Sequence, residues 1–181
     1  MNIENNRIAV ITRLAEKSQH LGRTALMKYC YFLQTLRRVP LGYSFSLYSY
    51  GPFDSDVLAD LDAAEAIGGV KTEVLYFSGG YGYQIGPGMQ AAGAKHWGSE
   101  FLQQHEGDID WVIAQFGNLN AAQLELASTI IYSDREAGMR SEKLTPQQLT
   151  QRVHDVKPHF ADAQIIGLLM DLKQRGFLKT V

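Results

Sequence analysis

The feature that most constrains the fold is the segment "RTALMKYCYFLQTLRR", residues 23–38. Its apolar side chains point to every side of a helix instead of forming one stripe. They are Leu26, Met27, Tyr29, Cys30, Tyr31, Phe32, Leu33 and Leu36. A helix that is apolar all round is buried, so we predict that this helix is central. Cys30 lies in its middle, where we expect a buried thiol that packs as a small hydrophobic group.

Periodic patterns predict the elements on either side of this helix. Apolar residues at helical spacing indicate an earlier helix at about 6–21. The stretch "YSFSLYSY", residues 43–50, alternates aromatic or apolar residues with serine, which predicts a strand buried on one face. Gly51 and Pro52 form a structural motif that ends this strand in a tight turn, since proline restricts its own φ and disfavours helix at the residue before it.

A helix and a hairpin complete the first half. Asp54 or Ser55 is the predicted N-cap of a helix that runs to Gly68 and Gly69. "VKTEVLYF" and "YGYQI" then flank Ser78-Gly79-Gly80, a sequence typical of a β-hairpin. Helix, helix, strand, helix and hairpin is the element order of a winged helix-turn-helix.

The second half is predicted to be helical. We expect a helix at about 89–105 and another that Asp108 and Asp110 open. Three more should follow: one capped by Asn118 or Asn120, one with a capping box at Thr145 that stops before Pro158, and one that ends at Gly176. The predicted fold is mainly α with a small antiparallel β hairpin or sheet. A winged-helix-like half, residues 1–88, should pack against a helical extension, residues 89–181, as one compact unit.

Charge is divided along the chain. Residues 1–40 hold seven Lys or Arg against two Glu, whereas residues 41–70 hold four Asp and one Glu with no base. The acidic residues fall on the helix that would read DNA in a winged helix-turn-helix, and phosphates would repel it. We therefore do not expect duplex DNA as a partner. The basic second helix, with Lys28, Arg37 and Arg38, leaves three roles open: contact with phosphate, a solvated face, or pairing with the acidic helix.

The sequence contains no clear catalytic or metal-binding pattern. The acids of the third helix should be mostly solvated, which leaves their pKa values unshifted and argues against general acid–base catalysis. No two of the five histidines are four residues apart, and one cysteine forms neither a disulfide nor a multi-cysteine metal site. We expect no cofactor, no metal and no catalytic residue. The lone cysteine and the absence of a long apolar run favour a cytoplasmic protein without a membrane span.

Two motifs resemble a known family. "ALMKYCYFLQ", residues 25–34, and "YSYGPF", residues 48–53, are similar to the helix and the aromatic-Gly-Pro signature of the Panacea, or SocA-type antitoxin, domain family, and to its YwgA-like relatives. The resemblance covers about residues 8–86. It implies a mainly helical cytoplasmic protein that binds another protein, such as a toxin or phage-related product, and that neutralises it or delivers it to a protease.

Candidate partner-binding residues follow from these patterns. We expect Tyr48, Tyr50 and Phe53 to pack on the central helix and to present their edges beside Asp56 and Asp60 as an aromatic and charged surface. Lys28, Arg37 and Arg38 form a second candidate surface. Two alternatives to protein binding stay open: a degenerate winged-helix regulator that binds nucleic acid, and an enzyme or small-molecule binder with a site between the two halves.

Overall fold

A computed structural model describes residues 2–181 of the chain, apart from the side chain of Phe77. The described residues form eight α-helices and four β-strands: α1 (Ile3–Lys17), α2 (Arg23–Leu36), β1 (Ser46–Tyr48), β2 (Gly51–Phe53), α3 (Ser55–Ala66), β3 (Val70–Phe77), β4 (Gly80–Pro87), α4 (Ala91–His96), α5 (Ser99–Phe116), α6 (Ala121–Met139), α7 (Pro146–Val156) and α8 (Asp162–Gln174). The strands pair as two small sheets, β1 with β2 and β3 with β4. The predicted mainly α fold with small antiparallel β elements is confirmed.

The chain divides into two units. The first comprises residues 2–46 and 53–119, and the second comprises residues 47–52 and 120–181. The first unit extends beyond residue 88, the end of the predicted winged-helix-like half, because α1 packs against α4 and α5 as well as α3. The second unit includes the tip of the β1–β2 hairpin.

Helix α2 is the buried centre of the first unit, as predicted. All eight residues from Leu26 to Leu33 are buried, and the ring of Phe32 stacks on that of Phe116 with 3.9 Å between centroids. The run includes Lys28, which is 2% exposed. The expectation that Lys28 belongs to an exposed basic surface is therefore wrong: α2 packs against α3, β4 and α5, and no side of it is left for solvent in this run.

The segment 43–50 does not form the predicted eight-residue strand. Only Ser46–Tyr48 is a strand, and Gly51–Phe53 is the second strand of the same small hairpin, so Gly51 and Pro52 lie within a strand and do not end one. The strand does not begin earlier because side chains, and not a neighbouring strand, make hydrogen bonds with the backbone of residues 43 and 44. Gln34 bonds both the N–H and the C=O of Tyr43, and the Asp54 carboxylate accepts from the Ser44 N–H at 2.5 Å.

The predicted bounds of two helices also need correction. The helix expected at about 89–105 is divided, because α4 ends at His96 and α5 begins at Ser99. Asp108 and Asp110 do not open a helix, because α5 runs through them from Ser99 to Phe116. A single glycine, Gly107, costs a helix only about 1 kcal/mol relative to alanine. Burying Phe101 and Leu102 on the same face as Ile109, Val112 and Phe116 outweighs that cost.

In the second unit, α6, α7 and α8 pack against one another in pairs. Of the two predicted caps of α6, Asn120 is the N-cap, and it forms a capping box with Gln123. The predicted capping box at Thr145 is confirmed, with Gln148 as its third residue. A buried carboxylate on α6 secures the C-terminal segment. Asp134, which is fully buried, accepts hydrogen bonds from the Lys179 and Thr180 N–H groups and from the Thr180 hydroxyl at 2.7–2.8 Å.

We predict that Asp134→Ala lowers the free energy of unfolding by about 3 kcal/mol or more, because it leaves part-buried donors of the C-terminal segment unpaired and removes charge-assisted hydrogen bonds. Urea denaturation measures the loss. Asp155→Ala is the matched control, since Asp155 is an exposed helical carboxylate whose bond to Gln151 spans four residues. That change should cost no more than about 0.5 kcal/mol. Equal effects of the two variants would contradict the role of Asp134.

Candidate functional site

The residues that the sequence grouped as one surface belong to two different units. Tyr48 and Tyr50 belong to the second unit and are 67% and 73% exposed. Their predicted packing on the central helix is therefore wrong: both lie at the tip of the β1–β2 hairpin, which presents their rings to solvent. Phe53 is partly buried in the first unit.

The hairpin tip, residues 47–52, is held by its own backbone and by close packing. Gly51 adopts φ +89°, a conformation that side-chain-bearing residues rarely adopt. A Cβ at this position would also lie 3.0 Å from Ser128 Oγ and 3.1 Å from Thr129 Oγ1. Pro52 is buried beside it and fixes its own φ. Glycine and proline therefore have a structural role at this site, although not the strand-ending role that the sequence predicted.

A buried lysine is the main support of the tip. Lys157, at the C-terminal end of α7, is 1% exposed. Its Nζ donates to the carbonyl oxygen of Ser49 and, at 3.3 Å, to that of Tyr48. The third partner is the carboxylate of Glu125, with Oε1 at 2.9 Å. The ammonium group thus makes one ion pair with a carboxylate and two hydrogen bonds with backbone carbonyl groups.

Glu125 connects this ion pair to α6. The residue is 6% exposed, and its backbone carbonyl accepts hydrogen bonds from Ser128 Oγ at 3.0 Å and Thr129 Oγ1 at 2.8 Å. These are the two hydroxyl groups that closely approach Gly51. Outside the ion pair, His159 Nε2 lies 3.5 Å from Glu125 Oε1, and the imidazole is 58% exposed. One cluster of side chains thus supports both ends of the tip.

This arrangement presents two aromatic side chains on a pre-ordered backbone. The carbonyl groups of Tyr48 and Ser49 are fixed by Lys157, whereas the rings of Tyr48 and Tyr50 remain exposed. A partner that contacts these rings would not have to order the tip backbone, which reduces the entropic cost of binding. We call residues 47–52 together with Lys157 and Glu125 the tyrosine tip.

We predict that Lys157→Met lowers the free energy of unfolding by about 3–5 kcal/mol, because it leaves the buried Glu125 carboxylate without its counter-charge. The double variant Lys157→Met with Glu125→Leu should recover much of that loss, since it replaces the buried pair with apolar side chains. Urea denaturation of the two variants beside the wild type provides the comparison. A double variant less stable than the single one would contradict the assignment of the cost to the unpaired carboxylate.

Asp60 is the second correction among the candidate residues. It is only 7% exposed, so it does not belong to a solvent-facing acidic surface. In the first unit its Oδ2 accepts a hydrogen bond from the Tyr43 hydroxyl at 2.9 Å and lies 3.6 Å from Arg7 NH1. Its place on α3 explains the burial: it is three residues after Val57 and four before Ala64, both of which face the core.

Arg7 organises this buried cluster. Its guanidinium lies 4.2 Å from the centre of the Tyr43 ring and donates to the carbonyl groups of Leu41 and Gly42 at 2.6 Å. Burial raises the pKa of Asp60 above its ordinary value, although the Tyr43 hydroxyl and Arg7 favour the carboxylate. Burial also raises the pKa of the Tyr43 hydroxyl and of the Cys30 thiol. Cys30 is therefore a protonated, enclosed thiol and not a nucleophile.

The raised pKa of Asp60 gives a pH dependence with a definite sign. Folded Asp60 binds its proton more tightly than the unfolded residue, so its contribution to stability is greatest at low pH and declines as pH rises through the folded-state pKa. We predict that wild type loses stability relative to Asp60→Asn as pH rises from about 3.9, the unfolded value, and that the difference then becomes constant.

Urea denaturation at a series of pH values tests this prediction. Asp62→Asn is the control, because Asp62 is an exposed residue of the same helix, and its substitution should change the free energy of unfolding by no more than about 0.5 kcal/mol. The prediction fails if wild type gains stability over Asp60→Asn as pH rises. That result would mean that Arg7 and Tyr43 outweigh the cost of burial.

The remaining candidates are on the surface. Asp56 is exposed and lies 3.8 Å from Arg7 NH1 in a loose ion pair. Arg37 donates to Asp108 Oδ1 at 2.8 Å, and its guanidinium lies 4.9 Å from the centre of the Trp111 ring. Arg38 is exposed with φ +59° just beyond the end of α2. The basic side chains therefore do not form one continuous face of α2.

A cavity of about 530 Å³ in the first unit is lined by charged side chains of α1, α4 and α5, among them Arg13, Lys95 and Glu106. Arg13 Nε lies 3.2 Å from Glu106 Oε2, and Lys95 Nζ lies 2.5 Å from Glu16 Oε1. The charged groups at this cavity thus compensate one another. Within residues 2–181, no group of three or more His, Cys, Asp or Glu side chains is placed to hold a metal ion.

Lys157 and Glu125 were not among the residues predicted from the sequence. Lys157 follows a predicted helix and precedes Pro158, a position at which an exposed lysine is the usual expectation.

No helix among the described residues is long and apolar enough to cross a membrane. No family model matches this chain, and no curated protein matches it.

Proposed function

We propose that this chain is a non-catalytic protein-binding module that captures its partner with the tyrosine tip. The observation that carries the proposal is the contrast within residues 47–52. Tyr48 and Tyr50 are 67% and 73% exposed, while the backbone beneath them is held by a lysine that is 1% exposed. Burying a charged side chain costs free energy, and adjacent exposed aromatic side chains are typical of an interaction site.

Tyrosine suits this role physically. It offers a large contact area with few rotatable bonds, and its hydroxyl can keep a hydrogen bond when the ring is buried. Tyrosine is accordingly enriched at protein interfaces and among the residues that dominate binding energy. The fixed backbone of the tip lowers the ordering cost further.

The resemblance of residues 25–34 and 48–53 to the Panacea antitoxin domains supports a more specific role. On this proposal the module works in the cytoplasm and neutralises a toxin or phage-related protein, or delivers it to a protease. In the first unit, α3 exposes Asp56, Asp62 and Glu65 and carries no basic residue. Such a helix would favour encounter with a partner whose surface is basic.

Duplex DNA is not proposed as the ligand. Binding to DNA depends on cationic side chains that can reach phosphates. Lys28 is buried, Arg37 is paired with Asp108, and Arg13 and Lys17 are paired with Glu106. These pairings reduce the positive charge that α1 and α2 offer to a polyanion.

Site-specific photo-crosslinking in the native host is the direct test. A photo-crosslinking phenylalanine analogue at position 50 should form a discrete covalent adduct with one protein. The same analogue at position 139 is the matched control, because Met139 is 79% exposed in the same unit but outside the tip. Equal adducts at both positions, or none at position 50, would contradict the proposal.

With the partner in hand, we predict that Tyr50→Ala weakens binding by about 2 kcal/mol, roughly thirtyfold in Kd, as expected for a dominant interface tyrosine. Tyr50→Phe should retain most of the affinity if the ring supplies the contact. Isothermal titration calorimetry gives Kd, and a thermal melt of each variant checks that the fold is intact. Unchanged affinity in Tyr50→Ala would remove this ring from the interface.

A further inference from the structure

The β3–β4 hairpin of the first unit has an open edge whose direction can be read from two hydrogen bonds. The Thr72 N–H donates to Glu65 Oε1 at 2.8 Å, and the Ile85 N–H donates to the Leu21 carbonyl at 2.7 Å. Thr72 and Ile85 are opposite each other in the β3–β4 register. Their N–H groups therefore both point away from the hairpin.

Backbone direction alternates along an antiparallel strand, so Val74 and Tyr76 have the same outward orientation as Thr72. Among residues 2–181 this sheet has two strands, so the outer side of β3 is an edge with no strand beside it. Val74 and Tyr76 are 45% and 83% exposed. The outer edge of β3 thus offers backbone N–H and C=O groups at two positions. Before them, the Thr72 N–H is already bonded to Glu65, and after them the strand ends at Phe77.

The two positions whose backbone groups point outward carry large apolar side chains, Val74 and Tyr76. Val74 faces Tyr83 across the hairpin, and Tyr76 faces Tyr81, with 6.5 Å between the ring centroids of the second pair. Val70, at the start of β3, lies on the same face as Val74 and Tyr76 and is 2% exposed. This face of the hairpin is therefore buried at the start of β3 and exposed further along the strand. An exposed apolar edge of this kind readily pairs with another strand.

We propose that the outer edge of β3 pairs with the same edge of a second copy of this chain, antiparallel about a two-fold axis at Leu75. In this register Val74 of each copy is opposite Tyr76 of the other, and the two Leu75 residues are opposite each other. The backbone N–H and C=O groups of Val74 and Tyr76 point away from β4. Each Val74–Tyr76 pair between the two copies can therefore form two N–H···O hydrogen bonds. The aromatic and β-branched side chains then form favourable cross-strand pairs.

Two features of the edge favour a second copy over an unrelated strand. The paired stretch is residues 73–77 of each copy, so it ends at the last residue of β3 and immediately before Thr72, where Glu65 closes the edge. The register also places Glu73 opposite residue 77, which keeps the two Glu73 carboxylates apart. The edge is therefore complementary to itself in length, hydrogen-bonding groups and charge.

Sedimentation velocity over a concentration series tests the association. Wild type should shift from 20.2 kDa toward twice that mass as concentration rises. Tyr76→Pro should remain a monomer, because it removes an outward N–H while sparing the bonds between β3 and β4. Tyr76→Phe is the control and should associate like wild type. A wild-type monomer at every concentration, or a Tyr76→Pro variant that associates normally, would overturn the proposal.

Cysteine crosslinking tests the register. Opposed residues of a non-hydrogen-bonded antiparallel pair have Cα atoms about 4.5 Å apart, within the range that a disulfide spans. Leu75→Cys should therefore crosslink to its counterpart under mild oxidation, while the native Cys30 is buried and does not compete. Glu73→Cys is the control, since its counterpart lies roughly 13 Å along the strand. Equal crosslinking at both positions, or an adduct from position 75 with a different protein, would count against the second copy.

Discussion

The candidate site depends on one buried ammonium group. Lys157 has almost no contact with solvent, and an unpaired charge in such a place would cost several kcal/mol. Its ammonium group is compensated by an ion pair with the Glu125 carboxylate and by hydrogen bonds to the carbonyl groups of Tyr48 and Ser49. Because two of these acceptors belong to the hairpin backbone, the stability of the second unit and the conformation of the tip are coupled.

Ion pairs also account for most of the basic charge near the start of the sequence. The basic residues of α1 and α2 do not form one surface opposite the acids of α3. Arg7 turns to Asp60 and Asp56, whereas Lys17 and Arg37 pair with Asp110 and Asp108 of α5. Most of the basic charge of residues 1–40 is thus paired inside the first unit, and Arg7 pairs with acids of residues 41–70.

Local sequence signals predicted much of the fold but little of the site. The all-round apolar pattern of α2 and the Thr145 capping box are short-range, so they could be identified without tertiary information. The burial of Asp60 had a local signal as well, since its spacing from Val57 places it on the inner face of α3. Lys157 had none, because its partners are more than thirty residues away along the chain. Long-range pairing of a charged residue leaves no periodic trace in a single sequence.

The central claim is that the ammonium of Lys157 keeps the tip ordered, and backbone ¹⁵N relaxation of the tip amides tests it most directly. The comparison uses the double variant Lys157→Met with Glu125→Leu, in which no buried charge is left unpaired but the carbonyl groups of Tyr48 and Ser49 lose their donor. We predict order parameters near 0.85, about the value of rigid backbone, for Tyr48 and Tyr50 in wild type, and below about 0.6 in the variant. Equal order parameters in the two proteins, or a tip that is already mobile in wild type, would contradict the account.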